Sequence, residues 1–250
     1  MMIHGAFCGG WVFDEFKLRF LAAGHAVITP DLPGHGAAAG GGQVVGKSMR
    51  DYAASILAIC EKQDQPPILI GHSMGGLVAQ MVAAKTRISG LILLAPSAPW
   101  GVHGATAHEA LSAVSLYALG PFWVQPVSPD YSAASQFLFQ NLTSEARSAV
   151  FAQMTAESGR ALWETLNWWL DPFATTLVSA ARITAPVLAV AGGRDEIHPA
   201  VTVRATADRL GGETCVRPEM GHWLIGEPGW QEVADTCQDW IKARQTLNPA

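Results

Sequence analysis

A regular alternation of two kinds of segment along the chain constrains the fold most. Short runs of apolar and β-branched residues, bounded by glycine or proline, are typical of buried strands. They occupy residues 25–29, 68–70, 91–94, 187–191 and 214–216. Between them, apolar residues recur at helical spacing in residues 11–23, 48–63, 74–85, 199–210 and 230–244. This alternation predicts an α/β fold whose mostly parallel sheet is covered by helices on both faces.

One segment interrupts the alternation. Residues 98–180 contain no convincing strand but much helical pattern, and they hold five of the nine tryptophans. We therefore predict a core made of residues 1–97 and 181–250, with residues 98–180 inserted as a helical cap, or lid. Most of its aromatic side chains should simply pack against the sheet layer, but we expect at least two to line a ligand pocket.

Composition excludes several classes of protein. The net charge is −5 and no basic block is present, so we expect no nucleic-acid surface. No apolar run approaches the roughly 18–20 residues of a membrane span. The four cysteines are scattered, without disulfide-framework or metal-ligand spacing, and the first residues do not form a signal peptide. These features predict a cytoplasmic protein, with residues 34–46, rich in glycine and alanine, forming a loop.

The most specific motif is Gly-His-Ser-Met-Gly-Gly at residues 71–76, directly after one predicted strand and directly before a predicted helix. This is the context of a nucleophile elbow, in which a serine stands on a strained turn above the carboxyl edge of the sheet. Glycine is required at positions 71 and 75 because side chains there would collide across the turn. Ser73 is therefore the candidate nucleophile.

A nucleophilic serine needs a base, and the base needs an orienting acid. His222 lies in a loop after the last predicted strand, and Asp195 follows the strand at residues 187–191. Because the carboxyl ends of parallel strands share one edge, we expect both side chains near Ser73. His198 is the next candidate for the base.

Together these segments resemble the α/β-hydrolase superfamily, in its capped serine-esterase form, over essentially the whole chain. The motifs are His4-Gly5 with Trp11, residues 27–36, the elbow at Ser73, residues 192–195, and Gly221-His222 followed by Glu227-Pro228. The resemblance implies an oxyanion hole formed by the backbone N–H groups of Met74 and Ala6, with Phe7 as the alternative to Ala6. It also implies that His4 organises this loop. The candidate pocket residues are Phe7, Trp100, Trp123, Trp163, Trp168 and Trp223.

The implied reaction is two-step acyl transfer on a small or medium, largely apolar ester or lactone, with no cofactor and no metal. Serine at position 73 argues against dehalogenases and epoxide hydrolases of this fold, which use a carboxylate nucleophile. Trp223 replaces the lysine of plant-type hydroxynitrile lyases, and Ala6-Phe7 replaces the Trp-Pro pair of perhydrolases. Carbon–carbon bond hydrolases, thioesterases and a non-catalytic receptor remain as alternatives.

Only three residues precede His4, whereas relatives usually have two further strands before this position. We therefore expect a sheet of about six strands with residues 25–29 at its edge. An unpaired strand edge is a liability that proteins normally cover or pair. The expectation is that a loop or a second chain in a homo-oligomer covers this edge, or that the natural start lies upstream.

Overall fold

A parallel five-stranded sheet forms the centre of the protein. The computed structural model describes residues 1–36, 43–104, 106–107, 109, 114 and 116–247, so residues 37–42 of the predicted glycine-rich loop lie outside the described part. The strands are β1 (Met2–Ile3), β2 (Ile68–His72), β3 (Gly90–Leu94), β4 (Pro126–Val127), β5 (Glu157–Ser158), β6 (Val187–Gly192) and β7 (Glu213–Arg217). The sheet order is β1-β2-β3-β6-β7, and all neighbouring pairs are parallel.

Helices separate these strands, as the alternation predicted. They are α1 (Asp14–Ala22), α2 (Met49–Cys60), α3 (Met74–Ala83), α4 (Tyr131–Ala133), α5 (Ser144–Phe151), α6 (Gly159–Leu166), α7 (Ala200–Arg209) and α8 (Trp230–Leu247). Short 3₁₀ helices cover Gly10–Phe13, Leu116–Leu119, Phe122–Val124, Trp168–Leu170 and Ala180–Arg182. The predicted α/β architecture, a mostly parallel sheet flanked by helices, is confirmed. No helix in the described ranges combines the length and hydropathy needed to cross a membrane.

The sheet divides the interior into two apolar layers. Leu91 and Leu93 point to one face, where they share a buried cluster with side chains of α2, α3 and α7. Ile92 and Leu94 point to the other face and pack with side chains of α1 and α8. Because side chains alternate along a strand, a strand buried on both faces is apolar throughout, which explains the uninterrupted apolar run of β3.

The predicted edge strand at residues 25–29 is wrong. This segment is not assigned to a strand, and the sheet has five described strands rather than about six. The neighbouring strand β1 has only two residues, and the Met2 N–H donates a hydrogen bond to the Ile28 carbonyl at 2.9 Å. A ladder cannot extend along so short a partner. Ile28 is 41% exposed, and self-association through this edge stays a prediction.

Residues 98–180 also contain strand structure that the sequence did not predict. Strands β4 and β5 form an antiparallel pair in which Val127 lies opposite Glu157 and Pro126 opposite Ser158. Two residues per strand are too few to produce a recognisable alternation of polar and apolar side chains. This pair brings Glu157, which lies far along the sequence, into the interior of the protein.

Candidate active site

Ser73 stands at a sharp turn between β2 and α3. Its backbone has φ 53° and ψ −125°, a strained conformation for a residue other than glycine. A Cβ atom on Gly71 would lie 2.4 Å from the Gly75 carbonyl oxygen, and one on Gly75 would lie 2.2 Å from the Ile3 carbonyl oxygen. Both glycines of the motif are therefore required by the close approach of backbone. The turn places Ser73 on the wall of a cavity.

His222 and Asp195 form a buried hydrogen-bonded pair. The His222 Nδ1–H donates to Asp195 Oδ2 at 2.8 Å, and both side chains are fully buried. Asp195 Oδ1 accepts the backbone N–H groups of Ile197 and His198 at 2.8 and 2.9 Å. Burial alone would raise the pKa of Asp195, but His222 and these donors hold it below its ordinary value. The carboxylate thus stays charged and orients the ring.

The second nitrogen of the His222 ring differs from the first in its surroundings. Within the described residues, His222 Nε2 is buried and has no hydrogen-bond partner. His222 and Ser73 line the same cavity. Catalytic hydrogen bonds often tighten only when substrate is bound. The arrangement therefore leaves one imidazole nitrogen available to exchange a proton in that cavity.

His72, next to the serine, has a different role. Its Nε2–H donates to the backbone carbonyl of His222 at 2.9 Å, so it supports the loop that carries the candidate base. Burial, with His222 nearby, lowers the pKa of His72 to about 3. The ring is thus a neutral positioning group. Nothing in the sequence identified this contact, because its partner is a backbone carbonyl 150 residues away.

The loop after β1 is held by His4, as the resemblance implied. His4 Nε2 accepts the Leu32 N–H at 2.9 Å, and its Nδ1–H donates to the Gly5 carbonyl at 2.8 Å. Burial, with His35 nearby, lowers the pKa of His4 to about 4, so this ring is also neutral. One imidazole thereby connects two loops beside the elbow.

Phe7, one of the two candidate amides of this loop, has hydrogen-bond partners outside the cavity-lining serine and histidine. Phe7 has φ 64°, and its N–H donates to Glu157 Oε2 at 3.3 Å while its carbonyl accepts the Thr155 N–H at 2.9 Å. The Phe7 amide is therefore already occupied. Ala6, the other candidate, lines the cavity together with Met74.

Glu157 joins three distant parts of the chain. Besides the Phe7 N–H, it accepts His35 Nε2–H at 3.0 Å, the Tyr52 hydroxyl at 2.5 Å and the Ser158 N–H at 2.7 Å. Burial alone would raise the pKa of Glu157, but His35 and the other donors hold it below its ordinary value. The pKa of His35 is raised by this carboxylate despite its burial. Sequence reasoning missed Glu157 because no motif surrounds it.

The cavity has a volume of about 440 Å³ and a mostly apolar wall. Residues from the 98–180 segment line it together with Ser73 and His222; they include Leu116, Val127, Phe137, Leu138, Met154 and Leu162. Two of the six predicted pocket residues, Phe7 and Trp223, line it as well. Trp168 lines a smaller adjacent cavity of about 190 Å³.

The pocket prediction is corrected for Trp100, Trp123 and Trp163, which line neither cavity. Trp100 packs edge-to-face on Trp168 at 5.5 Å between ring centroids, and Trp123 is 39% exposed. On α6, the cavity side is formed by residues 162, 165 and 166, which share one helix face. Trp163 lies off that face and packs against the cluster around Phe122. Sequence position alone did not reveal this rotation.

Across the described ranges, no cluster of three or more histidine, cysteine, aspartate or glutamate side chains is arranged to hold a metal ion. Ser73 and His222 line one cavity, and the hydrogen bond of His222 to Asp195 orients the ring, an arrangement suited to nucleophilic attack and proton transfer.

Comparisons with known proteins agree with this fold. The model of the Alpha/beta hydrolase family matches residues 1–236. The Magnesium-chelatase 30 kDa subunit of Rhodobacter capsulatus is 26% identical over 97% of this chain and 86% of its own length. The carbendazim hydrolyzing esterase of Nocardioides sp. (strain SG-4G) is 28% identical over 95% of this chain and 90% of its own.

Among solved structures, a methylesterase from Arabidopsis superposes with a TM-score of 0.74 at 15% identity, covering 96% of this chain and 97% of its own. At that identity the likeness speaks for the fold alone. The family match covers nearly the whole chain and includes the elbow at Ser73 and the loops that carry Asp195 and His222. The protein therefore belongs to the alpha/beta hydrolase family.

Proposed function

We propose that the protein is a serine hydrolase that cleaves a small or medium, largely apolar carboxylic ester or lactone. One observation carries the proposal. The serine of a strained elbow lines the same cavity as a histidine whose Nδ1–H is bound to a buried carboxylate and whose Nε2 is unoccupied. Curated relatives named esterase and monoacylglycerol lipase, which align over most of the chain, support the reaction class.

In the proposed reaction, His222 Nε2 accepts the proton of Ser73 as the serine oxygen attacks the ester carbonyl. Asp195 stabilises the imidazolium that forms, because its carboxylate remains ionised. The C–O bond to the alcohol then breaks, and His222 returns the proton to the leaving oxygen. Water, deprotonated by the same ring, releases the acid from the acyl-enzyme.

The negative oxygen of the tetrahedral intermediate needs donors that do not have to reorganise. We propose the N–H groups of Ala6 and Met74. Met74 is the first residue of α3, where backbone N–H groups have no intrahelical acceptor. Ala6 is preferred over Phe7 because the Phe7 N–H is bound to Glu157. Each donor is expected to contribute about 10²–10³ in rate.

We propose that residues 98–180 act as the cap over this site and select the substrate. Support comes from the apolar side chains that this segment contributes to the cavity, such as Leu116, Phe137 and Met154. A cavity of about 440 Å³ accommodates a medium-sized apolar ligand. Substitutions at Phe137 should therefore change the ranking of substrates more than the rate of acyl chemistry.

The test is hydrolysis of a panel of p-nitrophenyl and alkyl esters, lactones, thioesters and ring-fission diketones, with covalent labelling by a fluorophosphonate. Ser73→Ala should abolish both ester turnover and labelling while the fold is kept. Ser89→Ala is the matched control, because this exposed hydroxyl donates to the Pro66 carbonyl, away from the cavity. Turnover that survives in Ser73→Ala, or a preference for diketones over every ester, would refute the proposal.

A further inference from the structure

A second serine–histidine pair lies beside the candidate catalytic residues. Ser97 Oγ and His198 Nε2 are 2.9 Å apart, and both side chains are more than nine-tenths buried. The His198 ring packs edge-to-face against the His222 ring, with 5.2 Å between centroids. The Ser97 N–H donates to the Ser73 carbonyl at 3.0 Å, so the pair is tied to the elbow as well. Neither side chain has a part in the proposed acyl transfer.

The pair lies on a wall that two cavities share. Ser97 and His198 line the larger, mostly apolar cavity with Ser73, and they also line the smaller cavity of about 190 Å³. The smaller cavity has a more polar wall, with Thr106, Glu109 and Thr202 among its residues. A ligand bound at Ser73 can therefore reach the pair without leaving the larger cavity.

The Ser97–His198 pair can bind either a hydroxyl oxygen or a carbonyl oxygen of a ligand. Burial, with His222 nearby, lowers the pKa of His198 to about 3, so its ring is neutral. When the Ser97 hydroxyl donates to His198 Nε2, the serine oxygen can accept a hydroxyl proton from a ligand. In the other tautomer His198 Nε2–H donates to the serine oxygen and the ring gives up its hydrogen bond to the Ile197 carbonyl, which frees the Ser97 hydroxyl to donate to a carbonyl oxygen.

We propose that Ser97 and His198 form a polar subsite that binds a hydroxyl or carbonyl oxygen carried by the substrate close to its ester group. This inference rests on the proposed function and narrows its substrate class from plain apolar esters to oxygenated ones. A polar pair buried on an apolar wall costs desolvation free energy, which a ligand hydrogen bond offsets. The short distance between the two histidine rings limits the separation between that oxygen and the scissile bond to a few bonds.

The experiment measures binding in a Ser73→Ala background, where esters are not consumed, by titration calorimetry. The acyl-side probes are methyl 3-hydroxyoctanoate and methyl 3-oxooctanoate, each compared with methyl 3-methyloctanoate. The alcohol-side probe is 2-hydroxyethyl octanoate, compared with propyl octanoate. On one of the two sides we expect the oxygenated ester to bind about tenfold tighter than its apolar counterpart, the ratio that corresponds to one good hydrogen bond.

Adding Ser97→Ala or His198→Phe should reduce that ratio to about one. Thr165→Val is the matched control, because it removes a hydroxyl from the same shared wall whose hydrogen bond is to the Ala161 carbonyl, and it should leave the ratio unchanged. Equal affinities for both members of every pair, or a preference that survives both variants, would overturn the subsite. Absence of ester turnover by the unmodified protein would instead refute the proposed function, while the binding ratios would still decide the subsite.

Discussion

Two histidine–carboxylate pairs are fully buried among the residues that the structure describes, and they differ in where the partners of each carboxylate come from. The Asp195 carboxylate accepts hydrogen bonds from the His222 ring and from two backbone N–H groups of its own loop, those of Ile197 and His198. Glu157 accepts donors from three distant segments, namely Phe7, His35 and Tyr52, besides its neighbour Ser158. The first pair is supported locally, whereas the second connects residues that are more than 100 positions apart.

The two imidazole rings also differ in whether they line the cavity. His222 lines the cavity with its Nε2 unoccupied, so a proton can be exchanged with a substrate there. His35 does not line that cavity and packs against the rings of His4 and Tyr52. A buried histidine–carboxylate pair can thus exchange protons with a ligand when one ring nitrogen is left without a partner beside a cavity. It acts as a structural cross-link when its carboxylate binds donors from several segments.

The largest effect should come from Asp195→Asn. The amide cannot hold the imidazole in the required tautomer or stabilise its positive charge, so we expect kcat to fall about 10⁴-fold. The free energy of unfolding should change by less than about 1 kcal/mol, since the amide oxygen can still accept backbone N–H groups. Steady-state kinetics and denaturant unfolding measure the two quantities. A kcat within tenfold of the parent value would contradict the proposed role of Asp195 in orienting His222.

Glu157→Gln should have the opposite pattern, with a large loss in the free energy of unfolding and a small loss in kcat. Removing the charge leaves a protonated or poorly paired His35 in the interior, and we expect a loss of about 3 kcal/mol in the free energy of unfolding. Because Phe7 is tied to this carboxylate, kcat should fall about tenfold by displacement of the neighbouring Ala6 amide, with KM little changed. Glu145→Gln, at an exposed position in α5, is the control and should be neutral. A variant as stable as the parent would contradict the cross-link.

The pH dependence of that stability difference follows from the two shifted pKa values. The pKa of Glu157 lies below its ordinary 4.5, so its contribution is present above that pH and is lost as the pH falls through the lowered value. The pKa of His35 lies above its ordinary 6.5, so its contribution is complete below that pH and is lost as the pH rises through the raised value. The gap between parent and Glu157→Gln should therefore be widest near pH 5–6. Urea unfolding from pH 4 to 9 measures it, and a flat gap would exclude the ion pair.

The smallest effect should come from Tyr52→Phe. The variant removes one hydroxyl that donates to Glu157 Oε1 at 2.5 Å and leaves the other donors to Glu157 in place. We expect a loss of about 1–2 kcal/mol in the free energy of unfolding, because one partner of a buried charge disappears. Ester turnover should stay within about twofold of the parent rate. Thermal unfolding and initial rates measure the two effects; a tenfold drop in kcat would contradict the expectation that the Tyr52 hydroxyl contributes to stability alone.

Features that depend on a few neighbouring residues were predictable. The elbow follows from glycines at 71 and 75, which a sharp strand–turn–helix requires, and the two backbone clashes confirm that requirement. The strands β2, β3, β6 and β7 followed from short runs of apolar and β-branched residues. The segment at residues 25–29 has the composition of a strand, yet a strand exists only when a partner supplies hydrogen bonds, and β1 is too short to do so.

Features that depend on which side of an element faces the cavity were not predictable. Four of the tryptophans of residues 98–180 are predicted pocket residues, but on α6 Leu162 lines the cavity and Trp163 does not. Likewise, the residues next to Glu157, His72 and Ser97 in the sequence do not indicate which groups these side chains bind by hydrogen bonds. Each of these contacts joins residues brought together only when the loops and the 98–180 segment pack on the sheet.

The sequence by itself determined the α/β fold and the identities of the candidate nucleophile, acid and base, because loops that follow parallel strands meet at one edge of the sheet. Tertiary structure decided that the Phe7 amide is bound to Glu157, that His72 supports the His222 loop, and that Ser97 and His198 lie on the wall between two cavities. The physical reason is the distance along the sequence over which each kind of interaction acts. Backbone turns and apolar runs act over a few residues, whereas the hydrogen bonds of buried polar groups are satisfied by whichever donors the packing brings near.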